Sequence, residues 1–256
     1  MRRRQRLPLG RKALVWLFLR TKEILCAADP KSTAEALWKS TGDPRSTRKH
    51  RYRREVKATL ERMTLGGLCM YCEHNTVHQI EHFWPKSRFP ERTFCWWNLL
   101  FVCGECNQLK NAKFELDARY EPLLVDPTVD DPAEHLELSP KEGRFLALTE
   151  KGENTRAILN RNILIRRRQD AWSGLQGLVV SYARAQASGD ARLAEVLEGE
   201  LCKRPFPALL GFLLRFAELT EPERYIHVDG CLDALRAHRD EIRGWIDACG
   251  ADAPST

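Results

Sequence analysis

Four cysteines stand as two C-x-x-C pairs, Cys69 with Cys72 and Cys103 with Cys106. Each pair is a tight knuckle that presents two sulfurs to one point. Four thiolates fill the tetrahedron that Zn2+ prefers and leave no open position, so a zinc held there is structural rather than catalytic. The gap between the knuckles is about thirty residues, longer than the zinc-ribbon spacing of fifteen to twenty, so something is inserted between them.

The insert and its flank carry a second set of ligand types: adjacent Glu81 and His82, then Asn98, then Asn107 directly after Cys106. An imidazole titrates near neutral pH, so His82 can take a proton from water. Glu81 offers a hard carboxylate oxygen and Asn107 an amide oxygen, donors that favour Mg2+ or Mn2+ over a softer ion. Taken singly, each has a plainer reading: a packing histidine, a solvated glutamate, a turn asparagine at 98 and a helix cap at 107. Neighbouring strand residues face opposite sides, so Glu81 and His82 reach one site only where the strand ends or bulges. Pro85 fits such a break. Lys86, Arg88, Lys110 and Lys113 lie close in sequence and can hold phosphates. Trp84, Phe94, Trp96 and Trp97 can stack on bases, although core packing suits most of them.

The order Glu81-His82, Asn98, Asn107, with the flanking "HFWPKSR" and "NLLFVCGECNQLKNAK", resembles the HNH, or ββα-metal, nucleases. The resemblance implies an α+β chain, mostly helical, with an embedded zinc-stabilised ββα-metal core. It makes His82 the general base, Glu81 and Asn107 ligands of a catalytic divalent ion, and Asn98 a residue that bonds backbone and holds the loop around His82. This sequence departs from the family's commoner forms in having Glu-His for Asp-His and Asn at the last position. Over roughly residues 48 to 172 the layout also resembles the retron- and Septu-type antiphage HNH proteins: "C-x-Y-C", "IEHF-P-S", an Asp-Pro loop, then "T-x-x-LN-N" entering a helical region. That likeness implies DNA hydrolysis by an antiviral effector working with an ABC-like ATPase partner. A restriction-type HNH enzyme acting alone, a zinc-dependent nucleic-acid-binding module without catalysis, and an adaptor working through its C-terminal helices remain open.

The elements that must position these residues follow from local pattern. Residues 1–47 read as an N-terminal helical region, with Leu14, Leu17 and Phe18 at helical spacing. Apolar Ala13–Leu19 is followed at once by Arg20, Lys22 and Glu23, without a small-x-small cleavage site, so it reads as an amphipathic helix of a cytoplasmic protein. No stretch is apolar enough to span a membrane. Residues 48–120 hold a basic helix and the nuclease core. The basic run Arg45–Arg62 precedes the first knuckle, and up to Leu68 the cations outnumber the acids roughly three to one within a net charge of +6. That imbalance beside a ligand-rich segment points to nucleic acid, with Arg51 and Arg54 as phosphate contacts. "TVHQIEHF" and "RTFCWWNLLFV" read as strands and "CNQLKNAKFEL" as a helix. Residues 121–152 read as an Asp/Pro-rich ordered loop with a hairpin over "LELSPKEGRFLALT". Residues 153–250 read as one long helix and three shorter ones, and 251–256 as a disordered tail. "PFPALLGFLLRF" is apolar enough to be buried, in the chain or in a partner. The remaining five cysteines, scattered and odd in number, make a poor disulfide framework.

Overall fold

The computed structural model describes residues 1–41, 47–64, 67–74, 77, 79–159 and 164–248. The turn expected around residues 42–46, the glycine helix stop at Gly66, the side chain of Arg51 and the tail 251–256 lie outside the described residues. The described part is mostly helical, with two small antiparallel sheets.

Three helices come first: α1 (Arg11–Leu25), α2 (Pro30–Thr41) and α3 (Thr47–Arg62). Ala13, Leu17 and Ile24 recur at helical spacing on α1 and are buried where it meets α2 and α3. On α3, Val56 and Leu60 stand one turn apart and are buried as the helix packs on β2 (Leu99–Val102). That strand pairs with β1 (Gln79–His82), in the register Gln79 to Val102, Ile80 to Phe101, Glu81 to Leu100 and His82 to Leu99. All four β2 residues are buried, as the unbroken apolar run "LLFV" requires. α4 (Gly104–Lys110) follows after one residue, giving the order strand, strand, helix.

Each of these three elements is shorter than its sequence pattern suggests. The aromatic stretch before β2 is not strand: Trp96–Asn98 form a 3-10 turn that carries the chain into the sheet. α4 stops at Lys110 because Asn111 adopts a positive φ of 43°, a conformation asparagine tolerates better than most residues.

After a short α5 (Pro132–His135) comes the hairpin β3 (Leu136–Ser139) and β4 (Arg144–Ala147). Its turn needs Gly143, which has φ +63°, and a Cβ there would lie 2.3 Å from the Ile165 carbonyl oxygen. Among the described residues, which leave out 160–163, the expected long helix is represented by α6 (Glu150–Leu159) and α7 (Leu164–Ala187), and four helices rather than three follow: α8 (Ala191–Lys203), α9 (Ala208–Ala217), α10 (Cys231–Ala237) and α11 (Arg239–Ala248). α9 carries the apolar segment "PALLGFLLRF". Leu209, Leu210, Phe212, Leu213, Leu214 and Phe216 are all buried, so the chain itself covers this helix.

One carboxylate ties three distant segments together. Glu73, just past the first knuckle, is buried and adopts φ 56°. It accepts hydrogen bonds from Arg4 Nη2 at 3.1 Å and from the backbone N–H of Ala208 at 3.1 Å. Its own carbonyl accepts from the Phe206 N–H at 2.7 Å. Removing one member of a buried ion pair strands the other charge. Glu73→Ala should therefore lower stability by about 3–5 kcal/mol, read by urea unfolding. A loss under about 1 kcal/mol would mean the segments hold together without this carboxylate.

Candidate metal centre and catalytic cleft

The two knuckles converge. The sulfurs of Cys69, Cys72, Cys103 and Cys106 all lie within 4.8 Å of one another, and all four residues are buried. Cys72 Sγ and Cys103 Sγ are 3.9 Å apart. A tetrahedron with zinc–sulfur bonds of about 2.3 Å has edges of about 3.8 Å, so the residues fit a metal such as zinc. The surrounding backbone holds the knuckles in place: Glu73 N–H donates to Cys69 O at 2.9 Å and Met70 N–H to Phe101 O at 3.2 Å. Burial pushes the Cys69 thiol up, while hydrogen bonds from Cys106 and Cys69 pull Cys103 down to about 7. A divalent cation would favour release of the thiol protons.

Between the knuckles, β1, the following loop and α4 enclose a cleft of about 710 Å³ lined by Gln79, Glu81, His82, Lys86 and Asn107, among others. β1 ends at His82, and this is where the adjacent Glu81 and His82 come to line one hollow.

His82 Nε2 lies 3.1 Å from the Thr93 carbonyl oxygen. A carbonyl can only accept, so Nε2 carries the proton and Nδ1 is left with its lone pair. Burial, with the nearby Lys86 charge, draws the imidazole pKa down to about 3. The ring is therefore neutral at pH 7. Trp38 of α2 packs edge-on against it, with ring centroids 4.4 Å apart. Trp38 lies far outside the ligand-rich segment, and nothing in the local sequence marks it.

Asn98 is fully engaged with backbone. Its Oδ1 accepts from the Trp84 N–H at 2.6 Å, and its Nδ2 donates to Trp84 O at 3.1 Å and to Arg92 O at 2.9 Å. It clamps the two ends of the loop that carries Thr93.

Glu81 is not a bare carboxylate. Lys110, reaching back from the end of α4, places Nζ 2.5 Å from Glu81 Oε1 and 2.8 Å from the His82 carbonyl oxygen. Lys110 is 0 % exposed, which corrects its reading as a phosphate-holding surface lysine. The physical reason is helix phase: α4 turns this position onto β1, where the buried carboxylate supplies the charge that lets an ammonium leave water. Burial raises the Glu81 pKa and the Lys110 charge opposes the rise; burial lowers that of Lys110 and Glu81 opposes the fall.

Asn107 does not cap α4, whose N-cap is Cys103. Its Nδ2 donates to Gln79 Oε1 at 2.6 Å, and Oδ1 is the acceptor atom of the side chain. Glu81 and Asn107 line the same cleft, and a carboxylate and an amide oxygen are donor types that suit a hard divalent ion.

Of the expected phosphate contacts, Lys86 lines the cleft, Lys113 is exposed, and Arg88 donates to the Phe114 carbonyl. Arg54 is exposed and is not among the described residues that line the cleft. From α3 it is instead Arg53 and Lys57, one turn apart, that line a smaller hollow of about 290 Å³ sharing Gln79 and Asn107 with the cleft. Arg53 lies over the Trp38 ring at 4.8 Å and donates to Thr41 Oγ1 at 2.9 Å. Their i, i+4 spacing was visible in the sequence, but the phase of the helix was not. Among the aromatics, Phe94 and Trp96 are buried, Trp84 is half-buried beneath Arg92, and Trp97 is 66 % exposed.

No protein-family model matches the chain. Two curated relatives are similar to part of it. Septu protein PtuB of Bacillus thuringiensis is 34% identical over 118 residues, 43% of this chain and 42% of that protein. Septu protein PtuB of Bacillus mycoides (strain KBAB4) is 32% identical over 112 residues, 32% of this chain and 38% of that protein. The chain thus spans about two fifths of the length of the curated relatives it matches.

Two outcomes follow from this geometry. Folded, reduced protein should contain about one zinc per chain by elemental analysis, and Cys69→Ser should lose the metal and unfold. Zinc-free folded protein would remove the structural-metal assignment. Asn98→Ala leaves the part-buried N–H and carbonyl of Trp84 without this partner, while the Arg92 carbonyl keeps the Cys95 N–H, and should cost about 1–3 kcal/mol in thermal unfolding while the zinc content stays unchanged.

Proposed function

We propose that this chain is a metal-dependent endonuclease of HNH type that hydrolyses DNA phosphodiester bonds, the nuclease component of an antiphage defence system that works with an ABC-like ATPase partner. The observation that carries the catalytic half is a neutral, backbone-anchored histidine in one cleft with two hard oxygen donors. The Septu relatives support the defence setting, through a partial match.

The chemistry follows from the side chains. His82 Nδ1, unprotonated at pH 7, takes a proton from a water in the cleft. The water oxygen bonds to phosphorus as the bond from phosphorus to the sugar oxygen breaks, and the departing oxygen takes a proton from solvent. A divalent ion, when held by Glu81 and Asn107, supplies charge stabilisation at the phosphoryl oxygens. Thr93 and Trp38 keep the imidazole aimed, and Asn98 keeps the loop under Thr93 in place. Lys110 offsets the Glu81 charge, so the site does not carry an isolated buried anion before the ion arrives. Lys86 lines the cleft and Arg53 and Lys57 line the hollow beside it, and cations at both suit a nucleic-acid backbone better than a small uncharged substrate.

His82→Ala should lower plasmid cleavage in Mg2+ or Mn2+ by about two to four orders of magnitude, with zinc content and circular dichroism unchanged. Cleavage at the wild-type rate would sink the catalytic reading and leave a zinc-dependent binding module. Asn107→Ala should raise the Mg2+ or Mn2+ concentration needed for half-maximal cleavage.

A further inference from the structure

α1 is apolar on two faces. Ala13, Leu17 and Ile24 fill the core. On the opposite side Leu14, Val15, Phe18, Leu19 and Leu25 are 42 to 66 % exposed. A helix that is hydrophobic all round is ordinarily buried, yet among the described residues nothing covers this second face.

We infer that the outer face of α1 is the docking surface for a protein partner whose own apolar strip is edged with carboxylates. Area is the first argument. At roughly 150 Å² per fully exposed large side chain, the low end of the aromatic range, the five residues present on the order of 400 Å² of apolar surface. A standard interface takes about 800 Å² from each partner, a little over half of it apolar, so this single stripe supplies most of the apolar share.

Charge decides the kind of partner. Arg11, Lys12 and Lys22 stand exposed around the stripe, and among the described residues no carboxylate is bridged to them. The acid on this helix, Glu23, is already paired with Arg20 at 2.6 Å. A second copy of the chain fits poorly: antiparallel helices would set Arg11 and Lys12 against Lys22, and parallel ones would set each cation against itself. An anionic membrane is the weaker occupant too, because surface-binding segments carry clusters of about four to eight cations and among the described residues α1 brings three to this face. The surface belongs to α1 rather than to the cleft, so the inference extends the partner half of the proposed function and stands apart from the catalytic half.

The test is coexpression with the product of the neighbouring ATPase gene, followed by size-exclusion chromatography with light scattering. The wild-type chain should co-elute with it. Val15→Asp with Phe18→Asp should abolish co-elution while zinc content, circular dichroism and cleavage of naked plasmid by the isolated chain stay unchanged. Lys12→Glu with Lys22→Glu, which leaves the apolar stripe intact, should weaken the complex by about tenfold. Co-elution undiminished in both variants overturns the docking face alone. A wild-type chain that does not bind the ATPase overturns the partner reading and the docking face with it, and leaves the His82 result to judge the nuclease. A doubled mass of the isolated chain that the Val15/Phe18 variant loses assigns the face to a second copy. Sedimentation of the wild type, but not that variant, with phosphatidylserine vesicles assigns it to a membrane. Either result overturns the proposal.

Discussion

The convergence of four sulfurs within 4.8 Å is the constraint from which the rest of the site follows. Cys69 and Cys72 lie just before β1, and Cys103 and Cys106 lie at the junction of β2 and α4. Joining the pairs closes a loop that contains both strands, so the sheet register and the entry into α4 are set by one point. Glu81, His82 and Asn107 are then carried into a common cleft on elements of only four to seven residues, which are too short to be stable alone. A loop closed by a metal clip gains most where the intervening segment has little core of its own, and here that segment is a two-stranded sheet and a two-turn helix.

Around this knot the chain buries charge, and each buried charge has a counter-charge or a backbone partner. Lys110 lies on Glu81, Arg4 on Glu73, and Arg6 donates to the carbonyl of Leu99 at 2.6 Å and to Thr128 Oγ1 at 2.9 Å. Such pairs add little net stability against an apolar alternative, but they are costly to break, which makes them good specifiers of a single arrangement. The Arg6 contacts hold the N-terminal arm across the start of β2 and the Asp/Pro-rich segment. The same burial that demands these pairs keeps His82 neutral, so the environment that makes the site stable also sets its proton chemistry.

The helices outside the ββα unit are more than packing. α2 supplies Trp38 against the His82 ring, and α3 supplies Arg53 and Lys57 to the adjoining hollow. The C-terminal helices reach the first knuckle through the bond from Ala208 to Glu73, and the apolar side chains of α9 are buried. α1 has one face in this core and the other in solvent, a division that suits a helix shared between a fold and an interface.

Much of this was legible in the sequence because it rests on local pattern or on residue chemistry. The two cysteine pairs name the sulfurs that converge, and Glu81, His82 and Asn107 are side chains that line one cleft, while Asn98 bonds backbone beside it. The strand, strand, helix order and the 136–149 hairpin follow from apolar alternation and turn residues, and the burial of α9 from its unbroken apolar composition. What only the tertiary structure decided depends on helix phase and on contacts between distant segments. Lys110 and Lys113 are both lysines beside the site, yet one is fully buried and the other exposed, because Lys110 is the last residue of α4 and lies against β1, whereas Lys113 follows the break at Asn111. Arg53 and Lys57 line the adjoining hollow and Arg54 does not, because a step of one residue on a helix is a rotation of about 100°. The Thr93 carbonyl and the Trp38 ring meet His82 from 11 and 44 positions away in the chain, and neither signals its role by type. Ligand chemistry is written in residue identity, but the environment that tunes it comes from whichever surfaces the folded chain presses together.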